Sequence, residues 1–382
     1  MMKCVLGDIA DVTMGQSPKS EFYNSDGQGL PFLQGNRTFG KRYPVFDTYT
    51  TMTTKTAKAG DVIMSVRAPV GDLNFTPVDM CLGRGVCGIR MKNGSQDFLF
   101  YLLKYYMPQL LNKESGTVFG SVNRNDINGL EIEIPDDVEQ QHRIARVLTM
   151  LDEKIGENDA INENLEQQAA SYFRYLFIEN ADPSWPEGTT SDLGSVVGGG
   201  TPSKSKPEYY TDHGIAWITP KDLSVDKSKF MAHGADDITE LGLSNSSASI
   251  MPPGTVLFSS RAPIGYIAIA DGEVTTNQGF KSVVPKERIG TPFIYYFLKN
   301  ALPTIENIAS GSTFKEISGS AMRTVPAIIP DEVSIRGFTE FCTPLFQQQR
   351  TLEAENRQLS LLRDSLLPKL MSGDLDVSGL DL

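Results

Sequence analysis

The sequence has few of the residues that build disulfide scaffolds or zinc sites. Only 4 of its 382 residues are cysteine and 3 are histidine. The cysteines form no Cys-x-x-Cys pair and do not cluster with histidine, which favours reduced thiols in a cytoplasm. No apolar run approaches the roughly 18 residues that span a bilayer. The first residues also lack the apolar core of a signal peptide, so we expect none.

Recognisable catalytic motifs are also scarce. His142 lies among polar residues of the first long helical segment, where we expect it to be solvated. His213 and His233 lie in polar loops, with no acid or cysteine at a spacing that indicates a catalytic pair. The Gly-rich segment 198–204 resembles a phosphate-binding loop, but serine stands where that motif needs glycine immediately before lysine. An adenine-methylation motif needs Asn or Asp before Pro-Pro and an aromatic residue, and the only Pro-Pro follows Met251. We therefore expect no catalytic residues and no metal site in this chain.

An excess of acidic residues gives the chain a formal net charge of −12. Residues 131–180 hold 12 acidic and 4 basic residues, and residues 331–382 hold 9 and 5, so these two segments carry the whole excess. The remaining 280 residues hold 26 of each sign. A balanced domain can still present a basic face, so the net charge does not exclude a nucleic-acid partner.

Short blocks of the first half recur in the second half in the same order. Residues 61–76, DVIMSVRAPVGDLNFT, match residues 255–271, TVLFSSRAPIGYIAIAD. Residues 132–138, IEIPDDV, match residues 327–333, AIIPDEV. Six such blocks match at offsets between 184 and 195 residues. This length indicates a duplicated domain rather than a solenoid, whose period is roughly 20–50 residues.

Each copy divides into a mixed globular part and a long helix. Short apolar runs such as 61–65 lie between Gly, Pro, Asn and Asp, and they predict strands. Residues 97–112 and 292–307 have helical spacing, which we expect Pro108 and Pro303 to break. These patterns predict an α+β chain of two similar mixed α/β domains.

Segments 138–182 and 332–382 have the 3.5-residue apolar period of a coiled coil. The period runs through Ile144, Leu148, Leu151, Ile155, Leu165, Ala169, Tyr172 and Leu176, and then through Phe338, Cys342, Leu345, Gln349, Leu352, Asn356, Leu359, Arg363, Leu366 and Leu370. We expect Pro344 to kink the second helix or to restart it with Thr343 as N-cap. The alternative is that each helix packs only on its own domain.

Several motifs resemble those of the specificity (S) subunits of type I restriction-modification enzymes, and the resemblance covers essentially the whole chain. They are Trp217-Ile218-Thr219-Pro220-Lys221-Asp222-Leu223, both Ser-x-Arg-Ala-Pro-x-Gly segments, the Ser-Gly-x-x-Phe segments at 115–119 and 310–314, both Ile-Pro-Asp-Asp/Glu-Val segments, Gln140-Gln141-His142-Arg143-Ile144-Ala145, and the ending at 366–373. The second copy departs at 334–337, where the Gln-rich helix opening is missing.

The resemblance implies four regions. They are target-recognition domain 1 at 1–137, a central conserved helical spacer at 138–182, target-recognition domain 2 at 183–331, and a C-terminal conserved helical spacer at 332–382. Each domain would read one half of a bipartite double-stranded DNA target. The two antiparallel helices would separate the domains, in an internal pseudo-twofold arrangement, and would dock two methyltransferase (M) subunits.

The resemblance also implies restriction/translocase (R) subunits as partners and no membrane. S-adenosylmethionine, ATP and Mg²⁺ would bind those partner subunits, and this chain would hold no cofactor. Two rival hypotheses remain open. One is a non-catalytic protein–protein scaffold with two duplicated binding domains on a coiled coil, and the other is an enzyme with an unrecognised site.

Sequence reading requires hydrogen-bonding side chains at base edges and cations at phosphates. The candidates in the first domain are Gln16, Ser17, Lys19, Gln34, Asn36, Arg37, Arg84, Asn123 and Arg124. The candidates in the second domain are Thr201, Ser203, Lys204, Lys206, Thr219, Lys221, Asn277, Gln278, Lys281 and Lys315. For each of them the alternative is a solvated loop residue. Arg67 and Arg261 are identical in the two copies, so we expect phosphate contact or an internal structural role rather than the reading of two different half-sites.

Overall fold

The structure is a computed structural model that describes residues 1–112, 120–261, 263–311 and 315–380. The chain divides into two units, Met1–Ile155 with Gln358–Leu382, and Gly156–Arg357. Each unit holds one copy of the repeat and one part of each long helix. The Ser-Gly-x-x-Phe segment at 115–119 lies outside the described residues, as do residues 312–314 of its second copy.

The described residues of the first unit form three sheets. The strands are β1 (Met2–Val5), β2 (Ala10–Met14), β3 (Tyr23–Asn24), β4 (Leu30–Leu33), β5 (Tyr49–Thr50), β6 (Thr56–Ala57), β7 (Val62–Ser65), β8 (Leu73–Phe75), β9 (Met80–Leu82), β10 (Val86–Met91) and β11 (Glu131–Ile134). The helices are α1 (Leu6–Ile9), α2 (Gln96–Leu111), α3 (Arg124–Asn128) and part of α4 (Val138–Arg174). The sheet orders are β1-β11, β2-β10-β7-β8 and β3-β5-β4-β9-β6.

The described residues of the second unit repeat most of this arrangement. The strands are β12 (Glu187–Thr189), β13 (Gly194–Gly198), β14 (Tyr210–Thr211), β15 (Ile215–Ile218), β16 (Phe230–Met231), β17 (Asp236–Ile238), β18 (Val256–Ser260), β19 (Ile264–Ala270), β20 (Thr275–Thr276), β21 (Lys281–Pro285) and β22 (Pro326–Ile328). The helices are α5 (Thr190–Leu193), α6 (Pro220–Val225), α7 (Glu240–Ser244), α8 (Gly290–Ile308), α9 (Gly319–Arg323) and part of α10 (Glu332–Ser372). The sheet orders are β12-β22, β13-β21-β18-β19-β16 and β14-β17-β15-β20.

The strands that the two units share follow the same sheet order, with β16 added at one edge and β6 without a counterpart, and this confirms the internal repeat and the mixed α/β domains. Strands β7 and β18 occupy the two aligned apolar runs, as the alternation of apolar and turn residues predicts. Strand β10 pairs antiparallel with β2 and β7, and β21 does the same with β13 and β18. The duplication in sequence is therefore a duplication of topology.

Helices α2 and α8 form the centre of each core. Residues 98–103 of α2 and 292–298 of α8 are all buried, which is typical of a helix that is apolar all round. The expectation that Pro108 and Pro303 break these helices was wrong. Both helices run through their proline, because buried Leu110 and Ile305 hold the last turn against the core.

Helix α10 is also unbroken at Pro344, so the expected restart was wrong. The hydroxyl of Thr343 donates to the carbonyl oxygen of Thr339 at 2.7 Å and does not cap a new helix. Pro344 and Glu340 are both exposed, so the carbonyl that loses its helical donor lies on the solvent side.

The two long helices pair antiparallel along the predicted seam. In the first unit the Arg363 guanidinium contacts Asp152 at 2.7 Å. In the second unit the amide of fully buried Asn158 donates to Asn356 at 2.9 Å. The Gln349 amide in turn donates to the carbonyl of Asn162 at 3.1 Å. Residue numbers rise along one helix as they fall along the other, which confirms two antiparallel helices.

The end of α4 and the helical turn that follows it, Tyr175–Glu179, contact both α8 and α10. Tyr172 and Leu176 are only half-buried, whereas Phe173 and Phe177 are buried. The rings of both phenylalanines pack within 5.5 Å of Phe293 in α8. The rings of Phe173 and Phe177 also lie 5.6 and 5.4 Å from that of Phe338 in α10, and the ring of Tyr172 lies 4.6 Å from that of Phe341. The pairing with α10 therefore continues here, although the helix packs on its own domain as well.

Candidate nucleic-acid interface

A pair of parallel strands places the polar side chains of the first domain. Strands β4 and β9 run parallel and end together at Leu33 and Leu82. The Gly83 N–H donates to the Leu33 carbonyl at 2.7 Å, and the Gly85 N–H donates to the Gln34 carbonyl at 2.9 Å.

Glycine is required on both sides of Arg84. A Cβ atom at Gly83 would lie 2.6 Å from the Cα of Gln34, and one at Gly85 would lie 2.4 Å from the Gln34 carbonyl oxygen. Backbone atoms cannot yield to such contacts, so only glycine permits this close approach. The tight turn leaves the Arg84 side chain exposed beside the exposed side chain of Gln34.

Four of the candidate residues in the first domain line one open cavity. They are Gln34, Asn36, Arg67 and Arg84. An adjoining cavity brings Ser17 and Lys19 to the same Gln34 and Arg84. The structure thus brings together six residues that are up to 67 positions apart in sequence.

The candidate residues of the first domain form two groups, those that contact a neighbouring acidic side chain and those that do not. The Asn36 amide donates to Asp72 at 2.5 Å, and the Arg37 guanidinium lies 2.6 Å from Asp47. The hydrogen bond from Arg37 lowers the pKa of the Asp47 carboxyl. Within the described part of the chain, the Arg67 and Arg84 side chains contact no acid and form no hydrogen bond. These two arginines are therefore available to a ligand.

Residues Gln16, Asn123 and Arg124 lie outside these two cavities. The Gln16 N–H donates to the Leu82 carbonyl at 2.8 Å, and its side chain is exposed. Asn123 caps α3, because its side chain accepts from the N–H groups of Asn125 and Asp126. Arg124 is exposed.

The second domain repeats the framework with different side chains. Strands β15 and β20 run parallel, and the Asn277 N–H donates to the Ile218 carbonyl at 3.1 Å as Gly83 does to Leu33. Gln278 therefore occupies the position of Arg84. Its side-chain oxygen accepts a hydrogen bond from the Thr201 hydroxyl.

Two of the polar candidates in the second domain have structural roles. The Thr219 hydroxyl donates to Asp222 at 2.7 Å and belongs to the capping box of α6. The Asn277 side chain accepts from the Gly279 N–H at 2.8 Å and so shapes its own turn.

The basic candidates of the second domain differ in their contacts. Lys204 and Lys221 are exposed. Lys206 lies 3.6 Å from Glu208, and the Ser203 hydroxyl lies 2.9 Å from that of Ser205. Lys315 donates to the carbonyl of Glu306 at 3.4 Å. Arg261 and Lys281 both contact Glu316, each at 3.6 Å.

A tyrosine that holds the first loop in each domain was missed by sequence reasoning. The hydroxyl of Tyr23 donates to the Pro18 carbonyl at 2.9 Å, and that of Tyr210 donates to the Pro202 carbonyl at 2.7 Å. The signal was present, because both residues fall in aligned blocks of the repeat. These bonds fix the loops that carry Lys19 and the serine and lysine candidates after Thr201.

The expectation that His213 and His233 have no paired acid was wrong for His233. Its Nδ1 atom lies 3.1 Å from Asp237 of β17, four positions later in sequence. His142 lies 2.7 Å from the Ser95 hydroxyl. Among the described residues there is no group of three or more His, Cys, Asp or Glu that could hold a metal ion. The described helices include none that is long and apolar enough to cross a membrane.

Comparisons of the sequence with known proteins and of the fold with solved structures identify one and the same family. The type I restriction enzyme MjaIX specificity subunit of Methanocaldococcus jannaschii is 39% identical over 41% of this chain and 37% of its own length. This chain therefore matches little more than a third of that relative. The HindI specificity subunit of Haemophilus influenzae is 24% identical over 84% of this chain and 88% of its own length.

A solved structure shares the fold. The type I restriction-modification S subunit from M. genitalium superposes with a TM-score of 0.63 at 18% identity, covering 99% of this chain and 96% of that one. The model of the type I restriction modification DNA specificity domain matches residues 1–167 and 184–349. The chain therefore belongs to the type I restriction-modification specificity family, and it carries two copies of that family's domain.

Proposed function

We propose that this chain is the DNA-reading subunit of a type I restriction-modification complex, and that each domain reads one half of a bipartite double-stranded target. One observation carries the proposal. The same strand-and-turn framework presents Arg84 in the first domain and Gln278 in the second. Arginine pairs with the major-groove edge of guanine and glutamine with that of adenine. One backbone framework that carries a different side chain in each domain is suited to reading two different half-sites.

Cationic side chains of both domains supply the sequence-independent part of binding. Arg67 stands beside Arg84 in the first domain, and exposed Lys204 and Lys221 stand on loops of the second. Such side chains neutralise phosphates and set the register of the protein on the duplex. The acidic helices, in contrast, would repel DNA and are better suited to protein partners.

The helices are the proposed docking surface for two methyltransferase subunits. Leu361 and Leu362 of α10, and Met150 and Ile161 of α4, are large apolar side chains that remain exposed. Exposed apolar side chains within a polar helix surface favour a protein partner. In this proposal the chain itself is not catalytic. The methyltransferase subunits hold S-adenosylmethionine, and restriction/translocase subunits hold ATP and Mg²⁺.

The proposed compartment is the cytoplasm. All four cysteines are free thiols, and three of them are buried. Free thiols persist where the environment is reducing.

An electrophoretic mobility shift with genomic fragments tests the proposal. We expect the full chain with its cognate methyltransferase to retain a subset of fragments that share one bipartite motif. Arg84→Ala should change that subset, while Glu187→Gln, at an exposed site in the separate β12-β22 sheet, should leave it unchanged. No retention of any fragment, with or without the methyltransferase, would support the scaffold hypothesis instead.

A further inference from the structure

The two arginines shared by the copies have equivalent backbone surroundings. Arg67 forms an isolated β-bridge with Ser121, and Arg261 forms the same bridge with Glu316. Next to these bridges, the Val122 N–H donates to the Val66 carbonyl and the Ile317 N–H donates to the Ser260 carbonyl, both at 3.1 Å. Ser121 and Glu316 are therefore structurally equivalent positions.

This equivalence means that one position is neutral in the first domain and acidic in the second. In the first domain Ser121 carries no charge, and the exposed Arg67 side chain contacts no acid within the described residues. A DNA phosphate that approached this arginine would meet a full positive charge.

In the second domain a single carboxylate faces two cations. One Glu316 oxygen lies 3.6 Å from Arg261, and the other lies 3.6 Å from Lys281. The Arg261 and Glu316 side chains are 39% and 38% exposed, so the group lies at the surface, where DNA would dock. A phosphate at this position would be attracted by the cations and repelled by the carboxylate.

We propose that Glu316 weakens the hold of Arg261 on the DNA backbone, so that the phosphate contact at Arg67 supplies more salt-sensitive affinity than the equivalent contact at Arg261. The inference rests on the proposed function. It assigns unequal roles to two arginines at equivalent positions of the repeat. Arg67 contacts a phosphate with its full charge, whereas Arg261 shares its charge with Glu316.

Equilibrium binding of the full chain to a labelled 40-base-pair duplex of random sequence tests this inference. Fluorescence anisotropy at a series of salt concentrations gives the slope of log affinity against log salt, which steepens by about 0.9 for each phosphate neutralised. We expect Glu316→Gln to bind more tightly than wild type, with a slope steeper by about 1 to 2. The reciprocal variant Ser121→Glu should bind more weakly, with a slope shallower by about 1.

Glu187→Gln is the matched control, because it removes one negative charge from the same unit in a separate sheet. Equal slopes for Glu316→Gln and Glu187→Gln, with normal wild-type binding, would overturn this inference alone. Weaker binding by Glu316→Gln would also overturn it, since Glu316 would then position Arg261 for contact. Failure of the wild-type chain to bind the duplex at any salt concentration, with or without its cognate methyltransferase, would overturn the proposed function as well.

Discussion

Neutralising Glu166 should strongly destabilise the second unit. The Glu166 carboxylate of α4 lies 2.5 Å from the ammonium of Lys229 and 2.6 Å from that of Lys299. Lys229 is only 7% exposed, lies 3.9 Å from the centre of the Phe346 ring, and also donates to Gln349 at 2.8 Å. Glu166→Gln would leave the Lys229 ammonium buried without its ion-pair partner, and it would remove the ionic contacts of α4 with Lys229 and with Lys299 of α8.

Two lines of reasoning give a similar loss of folding stability for Glu166→Gln. Burial raises the pKa of Glu166, but the two lysines outweigh it and lower the pKa from 4.5 to about 2. The side chain is 19% exposed, so solvent screening is weak. A shift of this size corresponds to about 3 kcal/mol. Burial lowers the pKa of Lys229 against the attraction of Glu166, so the intact pair contributes less than the loss of one partner costs. Removing one partner of a buried pair typically costs about 3–5 kcal/mol.

The same shift predicts a pH dependence. Because the folded-state pKa of Glu166 lies below its ordinary value of 4.5, its contribution to stability is fully present above pH 4.5. The contribution is lost as the pH falls from 4.5 towards 2. The stability difference between wild type and Glu166→Gln should therefore be largest near neutral pH and should narrow below pH 4.

Urea unfolding followed by tryptophan fluorescence is the assay. Trp185 and Trp217 both belong to the second unit, so the signal reports on that unit. Glu179→Gln is the control, because both side chains of the ion pair between Glu179 and Arg174 are exposed. This substitution should change the free energy of unfolding by less than about 0.5 kcal/mol. A loss below about 1 kcal/mol for Glu166→Gln, or the same loss at pH 7 and pH 3, would refute this account of the ion pairs.

Three further variants test the seam and the proposed interface. Asn158→Leu removes the donor to Glu355 and Asn356 in the seam, and should cost about 1–3 kcal/mol in the same urea assay. Arg67→Ala should weaken binding to all duplexes alike and make the salt slope shallower by about 1, as anisotropy would show. Arg84→Ala should cost about 1–3 kcal/mol of discrimination at one base pair of one half-site, measured by competition between substituted duplexes. A uniform loss for Arg84→Ala, or a changed motif for Arg67→Ala, would reverse these two roles.

The duplication was visible in the sequence because topology follows local patterns. Matched apolar runs and turn residues placed β7 and β18, and the 3.5-residue period placed the middle of both long helices. Predictions based on neighbouring residues alone failed where tertiary packing determined whether a helix continued. Pro108 and Pro344 were expected to interrupt helices that the core and the solvent-facing carbonyls allow to continue.

The candidate interface could be predicted only as residue types. Gln34 and Arg84 meet because two parallel strands end together, and strand pairing between distant segments leaves no local signal. The roles of Thr219 and Asn123 as helix caps depend on the short helices that follow them. The contact between Glu316 and Arg261 joins residues 55 positions apart, and its absence at Ser121 becomes apparent only when both copies are compared in three dimensions.

The central claim is that the two domains read two half-sites independently. Replacing residues 183–331 with the corresponding domain of another family member, followed by genome-wide mapping of methylated adenines in cells that carry the chimera and its methyltransferase, tests this claim most directly. We predict that one half of the methylated motif changes while the other half stays the same. A motif that changed in both halves, or in neither, would contradict the claim.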